Sequence, residues 1–235
     1  MNSLGSKAWF RKLKRLLKQV AGREIWYSTQ MKANTVRHGD WCFIPDHLDS
    51  DSVVYSLGVG EDIVFDVELI KQFNLSVEAF DPTPSSIEWL KAKVTPENFN
   101  FHPFGISNRD GILKLYPLFI KGKKSATMFT LDSNCSSTDS GSVEIPVKKL
   151  STIMADLKHQ RIDILKMDIE GAEYDVIEDL LQAKLDVRQL LVEFHHRFKS
   201  IGKDKSNSII RKLNDSGYKI FFVSEKGREY SFLKL

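Results

Sequence analysis

Cysteine is nearly absent: Cys42 and Cys135 are the only two in 235 residues. Two thiols so far apart make no disulfide scaffold, so both are expected as buried or free thiols in a reducing compartment. No apolar run approaches the ~20 residues that a membrane-spanning helix needs. The head of the sequence lacks the long apolar stretch and small-residue cleavage site of a secretory signal, which predicts a cytoplasmic protein. No internal repeat is present, which excludes a solenoid. No tight His/Cys ligand motif is present either, so no metal ligands are predicted. Neither sign of charge dominates: 34 basic residues face 31 acidic ones, a net charge of +3. At 42% hydrophobic and 28% charged, the composition is that of a soluble globular domain with an extension.

The small net charge hides an asymmetry. Residues 1–24 hold seven basic residues and a single acid, Glu24, and so carry +6; the remainder carries −3. Within that head, Trp9, Phe10, Leu13, Leu16, Leu17 and Val20 follow the spacing of one helix face, with basic residues on the other. An amphipathic helix over residues 7–20 is predicted. It either docks on the domain through its apolar stripe, the usual fate of such stripes, or lies on an anionic membrane surface. Nucleic acid is not an expected partner, because the body is mildly acidic.

From residue 53 onward, strand-like and helix-like segments alternate. Val53–Leu57 is a β-rich run ending at Gly58-Val59-Gly60; Ile63–Phe73 reads as a helix that Asp62 caps. Leu75–Phe80 is a strand stopped by Asp81-Pro82, followed by a helix over Ser85–Lys93 and a strand over Asn98–His102. Ile112–Tyr116 and Val143–Val147 read as strands. Between them, Pro117–Gly141 is rich in Ser, Thr, Lys and Gly, holds no convincing long element, and is a candidate lid loop. Ile162–Met167 and Gln189–Phe194 are strongly apolar strands, with helices over Glu173–Ala183 and Ser206–Ser216 and final strands Tyr218–Val223 and Tyr230–Leu235. This order predicts an α/β fold with a mostly parallel sheet covered on both faces, spanning residues 25–235.

In open α/β sheets, ligands bind beyond the carboxyl ends of the strands. Those ends carry Gly58 to Asp62, then Asp81, then Asp168 and Glu170, then Glu193 and His195. Asp81 lies 21 residues after Gly60, near the ~20-residue gap between a glycine turn and the acid that binds ribose hydroxyls. An adenosine-bearing cofactor follows. A dinucleotide fits poorly: Ile63 stands where a third fingerprint glycine belongs, and Glu61 and Asp62 place negative charge where a pyrophosphate would sit. S-adenosylmethionine has no phosphate and carries an ammonium group that acids can hold.

Four segments, Val-Tyr-Ser-Leu-Gly-Val-Gly-Glu-Asp (54–62), Glu-Ala-Phe-Asp-Pro-Thr (78–83), Ile-Leu-Lys-Met-Asp-Ile-Glu-Gly-Ala-Glu (164–173) and Leu-Val-Glu-Phe-His (191–195), resemble FkbM-type methyltransferases and their methyltransferase-like relatives. The resemblance covers roughly residues 50–235, its most specific piece being Lys166–Glu173. It implies a Rossmann-like, doubly wound, seven-stranded sheet with the last strand antiparallel, and S-adenosylmethionine as cofactor. By the same resemblance Gly58 and Gly60 line the cofactor, Asp81 with Pro82 holds the ribose, Gly105-Ile106-Ser107 flanks the adenine, and Asp168 sits beside the transferred methyl group. It also suggests O-methylation of a sugar, glycan or other small metabolite. Two positions depart from the family pattern. Ser56 replaces the first-strand acid, and Asp62 replaces the third turn glycine, so that Glu61 or Asp62 would take over the missing acid's work.

Transfer from a sulfonium needs mainly alignment, while a hydroxyl acceptor gains from a base. The candidates are Asp168, Glu170, Glu193, His195 and His196. Residues two apart on a strand share a side, so the pairs Asp168/Glu170 and Glu193/His195 are expected to converge on one cleft. The same set is able to hold a divalent metal, though that reading is not favoured over plain carboxylates at a sheet edge. His196 is expected exposed, Glu173 is expected to serve its helix dipole, and Trp26, Trp41 and Trp89 are expected in or near the core.

Overall fold

The computed structural model describes residues 16–17, 19–20, 24–120, 123–131, 141–198 and 200–235. Most of the amphipathic helix expected over 7–20 therefore lies outside the described residues, as does Cys135. Leu16, Leu17, Gln19 and Val20 are helical, with Leu17 and Val20 exposed.

The apolar runs that the sequence marks out become the strands of one sheet. β1 (Val36–His38) and β2 (Trp41–Phe43) form a separate hairpin. Then follow β3 (Val53–Leu57), α1 (Val64–Phe73), β4 (Ser76–Phe80), α2 (Pro84–Lys91), β5 (Phe99–His102) and β6 (Gly105–Ile106). β7 (Gly111–Ile120), β8 (Lys123–Thr130) and β9 (Val143–Lys148) precede α3 (Leu150–Asp156) and β10 (Ile162–Met167). The chain closes with α4 (Glu173–Gln182), β11 (Val187–Glu193), α5 (Gly202–Asp215), β12 (Tyr218–Val223) and β13 (Glu229–Lys234).

The main sheet is mixed, with strand order β12-β13-β11-β10-β3-β4-β5. β11, β10, β3, β4 and β5 pair in parallel, and β13 runs antiparallel to both of its neighbours. Side chains along each strand alternate between two apolar layers. Tyr55, Leu57, Leu165 and Met167 join one cluster; Val54, Val77, Ile164 and Leu191 join the other. Burial on both faces is why these strands read as continuous apolar runs. The register sets Leu57 beside both Phe80 and Met167, and Met167 beside Val192. The residues that follow these four are thereby brought to one edge.

Several expectations are corrected. Pro117–Gly141 is not an element-free loop: β7 continues to Ile120, and β8 pairs with it antiparallel. Pro117 hid this strand, yet the register shifts between Pro117 and Phe119, the kind of bulge where a proline is tolerated. A second sheet, β6-β9-β7-β8, results, and residues 132–140 lie outside the described ones. The β1–β2 hairpin and α3 were not foreseen. α5 begins four residues before the expected Ser206. Trp26 is 62% exposed, whereas Trp41 is buried and Trp89 packs partly buried against the core. No described helix is long and apolar enough to cross a membrane.

Candidate active site

The glycine turn after β3 is forced by the approach of β10. Gly58 has φ +74°, and a Cβ there would stand 1.7 Å from the Asp168 carbonyl oxygen. Only glycine fits. The turn is then stitched to the neighbouring strand ends: Gly58 N donates to Phe80 O at 2.9 Å, and Asp168 N donates to Leu57 O at 3.0 Å. Asp81, almost fully buried, accepts from Gly60 N at 2.8 Å through Oδ2. Its Oδ1 accepts from Thr83 N at 2.8 Å and Thr83 Oγ1 at 2.7 Å. The glycine turn and Asp81, 21 residues apart, thus form one hydrogen-bonded unit.

Beyond that unit lies a cavity of about 350 Å³. Gly58, Gly60, Glu61, Asp62, Asp81, Pro82, Gly105, Ile106, Asp168 and Glu170 line it. The β7–β8–β9 sheet roofs it with Leu115, Met128, Phe129, Leu131 and Ile145. An adenosyl group suits these walls. The size falls in the usual range of small-molecule pockets. No atom lies within 4 Å of a Cβ placed on Gly60, so that face is open. Three hydrogen bonds leave the Asp81 carboxylate about one free lone-pair position for a hydroxyl. Ser107 is different: it is buried, is not among the residues lining the cavity, and turns its hydroxyl toward Asn108. It backs the wall rather than forming it.

The acids of the later strand ends do gather, but not by strand alternation. β10 stops at Met167, and Glu170 sits in a turn with φ +48°. β11 stops at Glu193. His195, beyond it, turns its Nε2 to within 3.1 Å of Glu170 Oε2 and 3.7 Å of Asp168 Oδ1. Glu193 instead pairs with Arg228 at 2.9 Å. It lines a second cavity of about 160 Å³, together with Asp40, Trp41, Lys166 and Asp168. The two cavities share Gly58, Val59, Asp62 and Asp168.

Glu173 does more than was expected of it. It is fully buried, and its Oε1 accepts from the His195 amide at 2.9 Å and from His195 Nδ1 at 3.2 Å. Its Oε2 accepts from Gly171 N at 2.8 Å. Glu173 therefore fixes both the imidazole and the turn that bears Glu170. His196 is not exposed: it is buried and bonded to Glu24, which also binds Arg197. A single sequence gives no hint of that contact, which joins residues 172 positions apart.

Electrostatics follow from this packing. Burial disfavours charge on His195, but Glu173 and Glu170 outweigh it and hold the imidazole's pKa well above its ordinary value. Burial, with Asp168 adding to it, pushes the Glu193 carboxyl up to about 7, against the pull of Arg228. Asp168 is raised as well, first by burial, with His195 and Lys166 opposing. Asp66 on α1 is wholly enclosed opposite Ser56 and Lys166, and burial raises its pKa against the pull of Lys166. It went unnoticed in the sequence because it lies ten residues beyond the strand position where an acid was missed. Asp168, Glu170 and His195 each offer a ligand atom within 4.8 Å of the others.

The chain is similar to several known proteins. A family model described as the methyltransferase FkbM domain matches residues 49–220. The Homo sapiens protein named "Probable methyltransferase-like protein 24" is 26% identical over 179 residues, covering 72% of this chain and 41% of its own length. "Methyltransferase 1" of Beauveria bassiana is 26% identical over 159 residues, covering 60% of this chain and 63% of its own. The chain thus spans less than half the length of the human relative. A crystal structure of a methyltransferase FkbM from Methylobacillus flagellatus superposes with a TM-score of 0.47 at 13% identity, covering 80% of this chain and 44% of that one.

Proposed function

The chain belongs to the FkbM methyltransferase family, and on that premise we propose that it is an S-adenosylmethionine-dependent methyltransferase acting on a hydroxyl of a sugar, glycan or other small metabolite. The observation that carries this reading is the hydrogen-bonded unit of Gly58, Gly60 and Asp81 facing a cavity of about 350 Å³. The remaining acceptor position of Asp81 serves a ribose diol, and Pro82, Gly105 and Ile106 offer an apolar wall to an adenine. When bound, the cofactor supplies a methyl group already activated on a sulfonium.

The chain's own part is to align and to exclude water. The β7–β8 hairpin closes the apolar side of the cavity. Asp168 lines both cavities, and the acceptor is proposed to sit in the smaller one, against Glu193, Lys166 and Trp41. The acid turn at Glu61 and Asp62 is exposed at the rim, suited to an ammonium group. The site stands at a strand edge of the domain over residues 25–235, and the protein is proposed to act in the cytoplasm.

Transfer from methyl-labelled S-adenosylmethionine to a panel of sugars, glycans and small alcohols tests the reading. Labelled product stable to mild base, as a methyl ether is and a methyl ester is not, is expected. Cofactor binding without transfer to any hydroxyl in the panel would instead mark a methyltransferase-like binding module.

A further inference from the structure

We infer that Asp168, Glu170 and His195 form a divalent-cation site at the edge of the cavity that faces Asp81, and that the ion's role there is to hold the acceptor hydroxyl. The role, though not the binding, rests on the function proposed above.

His195 is more than nine-tenths buried. Its Nδ1 faces Glu173 Oε1 at 3.2 Å, and a carboxylate oxygen only accepts, so Nδ1 carries hydrogen. That arrangement leaves the Nε2 position directed at two further carboxylates, Glu170 at 3.1 Å and Asp168 at 3.7 Å. Glu170 Oε2 is shut off from solvent and makes no well-directed hydrogen bond. A lone pair facing two anions requires something cationic between them. A proton on Nε2 gives one positive charge against three carboxylates; a divalent ion gives two, and occupies lone pairs of all three side chains.

The geometry agrees. Ligands about 2.0–2.2 Å from a shared ion stand roughly 3–4 Å from one another, which the two contacts of His195 match. Glu173, fully enclosed, is the outer carboxylate that fixes the ring of a ligating histidine and sets which nitrogen faces the ion. Its second oxygen binds Gly171 N, so it also fixes the turn that carries Glu170. A mixed oxygen and imidazole donor set suits a manganous, ferrous or zinc ion better than calcium. Asp168 lines both cavities and Glu170 the larger, so an ion held by them stands beside the space proposed for acceptor and methyl donor. A hydroxyl bound there gives up its proton to water more readily.

The test is calorimetric titration of manganous ion alone into the full chain after chelator treatment, without cofactor. One saturable site is expected. Glu170→Gln is expected to weaken it at least tenfold, with a melting temperature that shows the variant folded. Glu88→Gln, which removes an exposed acid from α2 that lines neither cavity, is expected to leave it unchanged. Absence of saturable binding of manganous, magnesium or zinc ion up to roughly 1 mM, or equal affinity in Glu170→Gln, would overturn the site and leave His195 as a protonated ion-pair centre. S-adenosylmethionine affinity is titrated separately, so loss of the cofactor reading would not be mistaken for loss of the metal site.

Discussion

Gly58 and Asp81 show how single residues decide this site. Gly58 combines a left-handed backbone with a carbonyl oxygen 1.7 Å from where a Cβ would be. Gly58→Ala is expected to cost roughly 3 kcal/mol or more, because β3 and β10 would have to separate. Chemical denaturation measures this, and a cost below about 1 kcal/mol would contradict the packing described. Asp81→Ala removes a charged acceptor that holds the glycine turn. It is expected to weaken S-adenosylmethionine binding by ~1–3 kcal/mol, roughly 5- to 150-fold. Unchanged affinity would reject a ribose role for Asp81. Both residues are legible in the sequence, since a glycine turn after an apolar run and an acid at the next strand end are local signals. Glu173 and His196 are not. Their partners, His195 and Glu24, lie 22 and 172 positions away.

Among elements, the contrast is between the main sheet and its roof. β3, β4, β10 and β11 are buried on both faces, and burial writes itself into the sequence as runs such as Ile162–Met167. Among the described residues, the roof strands β7 and β9 share a small apolar cluster, Leu115, Ile145 and Val147, with partly buried neighbours that include Phe129 of β8 and Leu131. A strand that covers a cavity needs few core contacts, so Lys123–Thr130 reads as a polar loop. The roof is nevertheless tied to the chemistry: Thr130 Oγ1 donates to the Glu170 carbonyl at 2.6 Å. Thr130→Val is expected to cost about 1 kcal/mol in denaturant unfolding, because the hydroxyl is lost and the shape kept. An unchanged midpoint would show that roof and turn are not coupled.

At the scale of the molecule, the segment leading into the domain is pinned beneath the site. Ile25 is fully buried in the main core, and Gln30 hydrogen-bonds β12 through both its amide N–H and its side chain. Glu24, its side chain enclosed, binds His196 and Arg197, immediately after His195. Burial works to raise the Glu24 carboxyl, but the His196 and Arg197 contacts prevail and hold it below its usual value. A carboxyl whose folded pKa is depressed adds stability above its unfolded pKa, and that stability is lost as pH falls through the folded pKa. Glu24→Gln is therefore expected to destabilise by roughly 3–5 kcal/mol near neutral pH, the cost of breaking a buried ion pair. Its gap from the unaltered protein should narrow as the pH is taken below the ordinary carboxylate range. Melting curves over that range check this, and a gap independent of pH would contradict it. What the cavity facing Asp81 binds decides between a methyl donor and a dinucleotide. Calorimetric titration of the unaltered chain with S-adenosylmethionine and, separately, with NAD is the most direct measurement. One-to-one binding of S-adenosylmethionine with none of NAD is the predicted result; tight NAD binding with no heat from S-adenosylmethionine would contradict it.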